Sequence, residues 1–436
     1  MHGLIRVLLI FPVFIFAQNS ITGSFSPAEN FAYALLYKSN PNGTDYINQG
    51  ELSEKGSFTI QLDSSVDAGI YKIVYGSPPE QNNFDLIYNG KESISFNFVE
   101  GEEVKFTESK ENKLWSSYKH SLEMVNQTIS NYYTQESTDK KAFISIFKTL
   151  KDSQTAFEEA SENMLASAFI KSSAPYIPFS YENLSTYKNN LKHHYLKSID
   201  FSDPLIQSSD FLTDRVLGFV FGMVKNNNKE YKAQVDILVD EIGQGQKIIK
   251  IILLEMVWRN FRNMNNTELT NYVSDKYLLD LSKQYNYDAL TKDLIAYKNN
   301  SIGMKAQNFE FEVTVNGETK STNLYELNSS KNYLIIFWSS TCGHCLEELP
   351  KVRELLDSKQ EVKIIAIGLE DDKENWIKKI MNYPKFTHVL GLEKWDNPIA
   401  NAYGVKSTPT YFLLNKDKEI IAKPENYEAL REILKW

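Results

Sequence analysis

The sequence predicts a multidomain chain with an N-terminal β-sandwich, a central all-α region and a C-terminal α/β domain. Three observations carry this. Apolar residues alternate with polar ones in short runs up to about residue 107, which is the period of half-buried strands. They then recur at steps of three and four up to about residue 300, the period of helices. Finally they gather in unbroken runs separated by helical patterns, which implies a sheet with helices on both faces. The boundaries read as 1–17, 18–108, 109–300 and 301–436, and a chain of 436 residues needs more than one ordinary domain.

Residues 1–17 read as a secretory leader. Arg6 closes a short basic region, Val7 to Phe16 is apolar, and Ala17 is a small residue suited to cleavage. The apolar core is shorter than the roughly 20 residues a membrane helix needs, so a cleaved leader is expected over an uncleaved anchor. With no cysteine near the cleavage point, a lipid anchor is not expected. The formal net charge of −9 and the lack of a basic stripe exclude a nucleic-acid-binding surface.

In the β-rich part, Phe58, Ile60 and Leu62 alternate with polar residues, as do Tyr71, Ile73 and Tyr75, and Ile94, Phe96 and Phe98. Turn signals fall at Asn40-Pro41-Asn42-Gly43, Ser77-Pro78-Pro79 and Asn89-Gly90, and the last predicts a hairpin between Phe84–Tyr88 and Ser93–Phe98. From about Glu108 the spacing changes. Trp115, Tyr118, Leu122, Val125 and Ile129 form one helical stripe, and Phe143, Phe147 and Leu150 form another. Lys247 to Phe261 is a strongly apolar helix, with chain breaks at Ala174-Pro175, Asp203-Pro204 and 226–228. The Trp115 stripe reads as core packing, and His193-His194 as a polar helix surface without ligand spacing.

In the α/β part, Tyr333 to Trp338 is an apolar run that reads as a strand buried on both faces. Ser339, Ser340 and Thr341 supply a turn with capping hydroxyls, and Leu346, Leu349, Val352 and Leu356 follow at helical spacing. Val362–Ile367 is a second buried strand. Asp371 to Met381 reads as a helix with Trp376 and Ile380 on one face, and Asp396 to Tyr403 as a short helix. A hairpin of Tyr411–Leu414 and Glu419–Ala422 precedes a closing helix, Tyr427 to Trp436.

The chain has two cysteines, Cys342 and Cys345, and both lie where the buried strand gives way to a helix. Positions three apart share a helix face, so the sulfurs can meet. Unpaired N–H groups and partial positive charge in the first turn stabilise a thiolate, the reactive form. Cys342 therefore reads as the nucleophile and Cys345, one turn deeper, as the resolving thiol. Gly343 and His344 stand between them as redox-tuning residues, His344 by adding positive charge. A bridge closing so short a loop would constrain the unfolded chain little, which argues against a structural staple. Paired thiolates also suit Cu(I), so a copper-handling binding protein is an alternative.

Phe337-Trp338, Cys342-Gly343-His344-Cys345, Glu348, Pro350 and Thr408-Pro409-Thr410 resemble the thioredoxin superfamily, and within it the TlpA/ResA-like thiol–disulfide oxidoreductases, relatives of the AhpC/TSA group. The resemblance implies a thioredoxin-like fold for 301–436, a redox-active Cys342–Cys345 disulfide, and neither a metal nor another cofactor. It also implies a cis Thr408–Pro409 bond facing the disulfide, with Trp338, Thr408 and Pro409 meeting the substrate. Pro350 matches the proline that kinks the active-site helix, and Glu348 the ResA-type glutamate that handles protons, with Glu347 pointing elsewhere. Ile336 stands where thioredoxin has a buried Asp, and Thr341 where Trp is common; the Gly-His dipeptide matches protein disulfide isomerase. The run from Ile21-Thr22-Gly23 through Gly69-Ile70-Tyr71 resembles the β-rich N-terminal domain of Bacteroidetes members of the group. The implied function is periplasmic disulfide exchange with protein thiols and disulfides, supplied by a membrane or periplasmic electron donor. A peroxiredoxin-like peroxidase is a further alternative, although Ser339-Ser340 stand where its proline belongs. Neither the direction of electron flow nor the oligomeric state follows from the sequence.

Overall fold

The computed structural model describes residues 19–315, 318–357, 359 and 361–435, so the leader read in residues 1–17 lies outside the described residues. Two compact units emerge, one ending at Leu253 and the other beginning at Leu254. Among the described residues no helix is long and apolar enough to cross a membrane.

The first unit opens with β1 (Ser20–Ser26), β2 (Ala34–Asn40), β3 (Gly43–Gly50), β4 (Ser57–Gln61), β5 (Gly69–Val74), β6 (Asn83–Tyr88), β7 (Ile94–Val99) and β8 (Lys105–Glu108). They form two four-stranded sheets, ordered β4-β1-β7-β8 and β3-β2-β5-β6. Inward residues of both, among them Ile21, Phe25, Leu36, Phe58, Ile60, Tyr71, Ile73 and Phe96, share one core. Phe25 meets the rings of Phe31, Phe58, Phe96 and Phe98 in tilted and edge-on contacts, the arrangement aromatic quadrupoles favour. A Cβ on Gly23 would lie 2.4 Å from the Phe58 ring, so only glycine fits there.

The hairpin predicted at Asn89-Gly90 is absent. β6 and β7 belong to different sheets, and β7 pairs with β1 in parallel. The turn is real: Asn89 Oδ1 accepts from the N–H groups of Lys91 and Glu92, and Gly90 takes φ +75°. It carries the chain across the core instead of back along the same sheet. β5 differs from its reading too. Ile70 and Val74, on the face opposite Tyr71 and Ile73, are also buried.

Helices α1 (Lys110–Thr134), α2 (Lys140–Ala160), α3 (Ala166–Ser172), α4 (Leu184–His194), α5 (Pro204–Gln207), α6 (Asp210–Leu217) and α7 (Asn228–Ile242) follow. Asn112 of α1 pairs with the free edge of β6, accepting from Ile87 N at 2.8 Å and donating to Ile87 O at 2.7 Å. One amide side chain thus satisfies backbone groups an edge strand would leave open. Trp115 stacks against Tyr118 and meets Phe169 and Phe211, which places the stripe in the packing. His194 stacks on Tyr176 and bonds Asn190 O, a local helix-end contact. Helix α8 (Lys247–Asn263) contains the division between the units.

In the second unit, α9 (Thr267–Val273), α10 (Leu279–Gln284) and α11 (Asp288–Asn299) lead to a two-stranded sheet of β9 (Glu310–Val315) and β10 (Glu318–Asn323). The main sheet follows, built from β11 (Asn332–Trp338), β12 (Val362–Glu370), β13 (Thr387–Leu392), β14 (Thr410–Asn415) and β15 (Ile420–Ala422), with helices α12 (Gly343–Asp357), α13 (Glu374–Ile380), α14 (Pro398–Ala402) and α15 (Tyr427–Ile433). Its order is β13-β12-β11-β14-β15, with β11 central. β12 runs parallel to β11, and β14 antiparallel. Side chains alternate across this strand. Tyr333, Ile335 and Phe337 join one core, while Leu334, Ile336 and Trp338 join the other beneath α12, α13 and α15. That double burial explains the unbroken apolar run.

Candidate active site

The site forms where β11 ends and α12 begins. Ser339 and Ser340 turn the chain, and Cys342 is the residue just before the first helical position. Its Sγ accepts from the backbone N–H of Cys345 at 3.3 Å, so the sulfur stands where a capping oxygen usually stands. Leu349, Val352 and Leu356 hold α12 on the sheet, and the helix runs through Pro350 without interruption to Asp357. Cys345, on the same face, is fully buried while Cys342 is half-exposed.

The two sulfurs are electrostatically unlike. Burial pushes the Cys342 thiol up, but hydrogen bonds from Cys345, from Thr408 and from the backbone N–H groups of Cys345 and His344 outweigh it and hold this thiol below its ordinary range. Burial and the neighbouring Cys342 push Cys345 up to about 12. As the pair ionises, the outer sulfur therefore gives up its proton first and the inner one keeps its own. His344 contributes through its backbone N–H, its side chain being exposed, and Gly343 is exposed in open space.

Thr408 faces this pair from the loop before β14. Cys342 Sγ donates to Thr408 O at 3.4 Å, and the Thr408–Pro409 bond is cis. The resemblance implied both the bond and its place. Trp338 is different: it is fully buried beneath α12, edge-on to Tyr383, and among the described residues its indole N–H has no hydrogen-bond partner. The expectation that it meets the substrate is therefore corrected, because the pleat places Trp338 on the same face as Leu334 and Ile336, in the core that α12 covers.

Glu348 is half-buried but bonded to neither sulfur. Its Oε2 accepts from the Tyr411 hydroxyl at 2.6 Å and from Tyr427 N, in the first turn of α15, at 3.1 Å. Burial, then Glu348, then the two cysteines raise Tyr411 far above its ordinary value, which puts its hydroxyl within electrical reach of the sulfurs. Glu347, one residue earlier, is exposed.

Two participants escaped the sequence reading. Tyr411 was legible only as a strand residue. Glu370 fell at the seam between a strand and a presumed helix, yet it is the buried last residue of β12. Its carboxylate accepts from Ser340 N at 2.6 Å, Ser340 Oγ at 2.8 Å and Ser339 Oγ at 3.4 Å. Ser339 O in turn accepts from Cys342 N at 3.1 Å. A second charged residue, after Lys363, closing a largely apolar strand was the available signal. Among the described residues, no group of three or more His, Cys, Asp or Glu side chains could hold a metal ion.

The thioredoxin-like family model matches residues 330–420, from just before β11 to β15. A thiol-disulfide oxidoreductase ResA from Bacillus thuringiensis (strain Al Hakam) is 30% identical over 121 residues, which cover 28% of this chain and 67% of that protein. The chain belongs to the TlpA/ResA-like thiol–disulfide oxidoreductases. Another ResA, from Bacillus thuringiensis subsp. konkukian (strain 97-27), is 29% identical over 138 residues, covering 31% of this chain and 77% of that one. Among solved structures, a thioredoxin-like protein from Bacteroides caccae is 20% identical, covers 60% of this chain and 96% of that chain, and gives a TM-score of 0.43. The likeness to these ResA proteins thus covers about a third of the chain or less.

Proposed function

We propose that this protein exchanges disulfides with protein partners in the periplasm through Cys342-Gly343-His344-Cys345. The observation that carries the reading is the asymmetry of the sulfurs, with Cys342 held low and half-exposed and Cys345 pushed up and buried. The Cys342 thiolate attacks one sulfur of a partner disulfide. That S–S bond breaks, and the departing sulfur leaves as a thiolate that takes a proton. Cys345 then gives up its proton and attacks Cys342 Sγ, forming the Cys342–Cys345 disulfide and releasing the second partner sulfur. Two electrons pass from the cysteine pair to the partner; reversed, the same steps oxidise a partner dithiol.

In this reading Thr408 and Pro409 hold the partner backbone beside Cys342, so that an extended segment adds to the loop. Glu348, through the Tyr411 hydroxyl, receives or supplies the Cys345 proton. The N-terminal β-sandwich and the all-α region that follows serve as a docking module for partner or donor. A periplasmic or membrane donor re-reduces the pair.

Insulin reduction by the full chain tests this. Cys342→Ser is expected to abolish turnover, and Cys345→Ser to accumulate a mixed disulfide with the substrate. Equal turnover by Cys342→Ser and the parent protein would end the proposal.

A further inference from the structure

A cavity of about 730 Å³ opens beside the Thr408–Pro409 loop, on the sheet face opposite α12. Ser407 and Thr410, which flank that dipeptide, both line it. Two cations reach into it. Arg262 of α8 and Lys423, just after β15, share the ring of Tyr297, at 5.6 Å and 5.0 Å from its centroid. Lys423 also lies 5.3 Å from the Phe412 ring centroid. Like charges on one ring repel, and an aromatic face offsets only part of that cost. Among the described residues, neither Arg262 nor Lys423 has a carboxylate within ion-pair distance. Of the other charges of the lining, Asp293 pairs with Lys406 at 3.0 Å, while Glu425, exposed, accepts from the neutral amide of Asn265. Burial and Arg262 together push Lys423 down to about 8, a cation held where its surroundings favour the neutral form.

A half-buried, unpaired pair of cations is a costly arrangement for stability alone. It becomes favourable when an anion enters, because a carboxylate restores the missing partner and a guanidinium offers it a planar fork of donors. The cavity also has a fixed relation to the reaction centre. Phe412 is three residues beyond Pro409 on β14, so Lys423 stands on the order of 10 Å along the strand from the cis-proline, at ~3.3 Å per residue. A polypeptide laid over the loop with its cysteine at Cys342 would reach the cavity about three residues away.

We infer that this cavity is a specificity subsite, in which Arg262 and Lys423 bind a carboxylate side chain of the polypeptide whose disulfide is attacked at Cys342. The inference rests on the disulfide-exchange reading and adds to it the class of partner: a chain with an acidic residue close to its reactive cysteine.

Disulfide-bonded peptides with Glu or Gln at each position within about four residues of the cysteine, a span set by the strand rise, provide the test with the full chain. At the matching position, kcat/KM for the Glu peptide is expected to exceed that for the Gln peptide by about tenfold, the scale of one desolvated charge pair. Lys423→Gln and Arg262→Gln should each bring the ratio close to one. Lys423→Glu should favour a Lys peptide, and Lys416→Gln, on the exposed hairpin turn, should leave the ratio alone. A wild-type ratio of one at every position, or a ratio unmoved by Lys423→Gln and Arg262→Gln, overturns the inference. Calorimetric binding of the same peptides to the Cys342→Ser/Cys345→Ser chain separates the two readings. A Glu preference in binding without any turnover would keep the subsite and remove the exchange reaction. Succinate binding as tightly as the Glu peptide would assign the pocket to a small acid and overturn the polypeptide assignment.

Discussion

Tyr411 donates its hydroxyl to Glu348 at 2.6 Å, tying the strand after Pro409 to the helix that carries Cys345. The two walls of the site are thereby fixed to each other by one charge-assisted hydrogen bond. Tyr411→Phe removes the donor and leaves Glu348 with Tyr427 N as its remaining recorded partner. A loss of roughly 1.5–3 kcal/mol is expected in urea unfolding, the usual scale for a hydrogen bond to a charged group. Resolution of the mixed disulfide should slow in Tyr411→Phe and Glu348→Gln alike, while Glu347→Gln, on the exposed side, should leave it unchanged.

Cys342 and Cys345 should ionise on opposite sides of the ordinary thiol value. Because the folded protein holds the Cys342 thiol low, its thiolate forms before an ordinary thiol would ionise, near pH 8.5. Iodoacetamide labelling of the reduced protein should therefore rise with a midpoint below that value. Labelling of Cys345 should stay negligible until well above it, since burial and Cys342 push that thiol up to about 12. Mass spectrometry of each labelled cysteine against pH reads both curves. A Cys342 midpoint at or above the free-thiol value would remove the nucleophile assignment.

Glu370→Ala should be among the most damaging single changes near the site. It strips the partners from Ser340 N and Ser340 Oγ, two buried groups with no water-facing alternative. The cost expected from chemical denaturation is about 2–4 kcal/mol, from one to three for each unsatisfied group with partial relaxation. Glu370→Gln keeps one acceptor and should recover part of it. If Glu370 positions the cysteine turn, Glu370→Gln should also shift the labelling midpoint of Cys342; a purely structural role would leave that midpoint in place.

Trp338 should behave as core. Trp338→Ala is expected to cost about 3–5 kcal/mol, the range for emptying a buried aromatic site. Trp338→Phe should lose much less and keep the KM for a protein disulfide. A raised KM in a stable Trp338→Phe protein would restore the substrate contact that the buried side chain argues against.

Much of the second unit was legible because its signals are local. Tyr333 to Trp338 could be read as a doubly buried strand since a period of two is lost only when both faces are covered. Cys342 and Cys345 could be placed because strand, helix and spacing fix their neighbourhood, whereas Pro409 could be placed only through the family resemblance of Thr408-Pro409-Thr410. The turn at Asn89-Gly90 was legible as a turn but not as a hairpin. Its dipeptide fixes the bend, whereas the identity of the next neighbour is decided by which sheet has a free edge. Glu348 was legible as a residue near the cysteines, but its partners come from Tyr411 and Tyr427, far along the chain.

The sequence by itself determined the chemistry at this centre: one pair of thiols, placed at the positive end of a helix, after a strand that has nowhere to go but the middle of a sheet. Those follow from periodicity and from the backbone groups a helix leaves unpaired, which depend on neighbours in the chain. The tertiary structure decided how unequal the thiols are, that Trp338 turns inward, that Glu370 braces the turn, and that Arg262 and Lys423 meet over Tyr297. Each of these depends on residues brought together from distant segments, where burial and electrostatics act through space and leave no trace in local spacing.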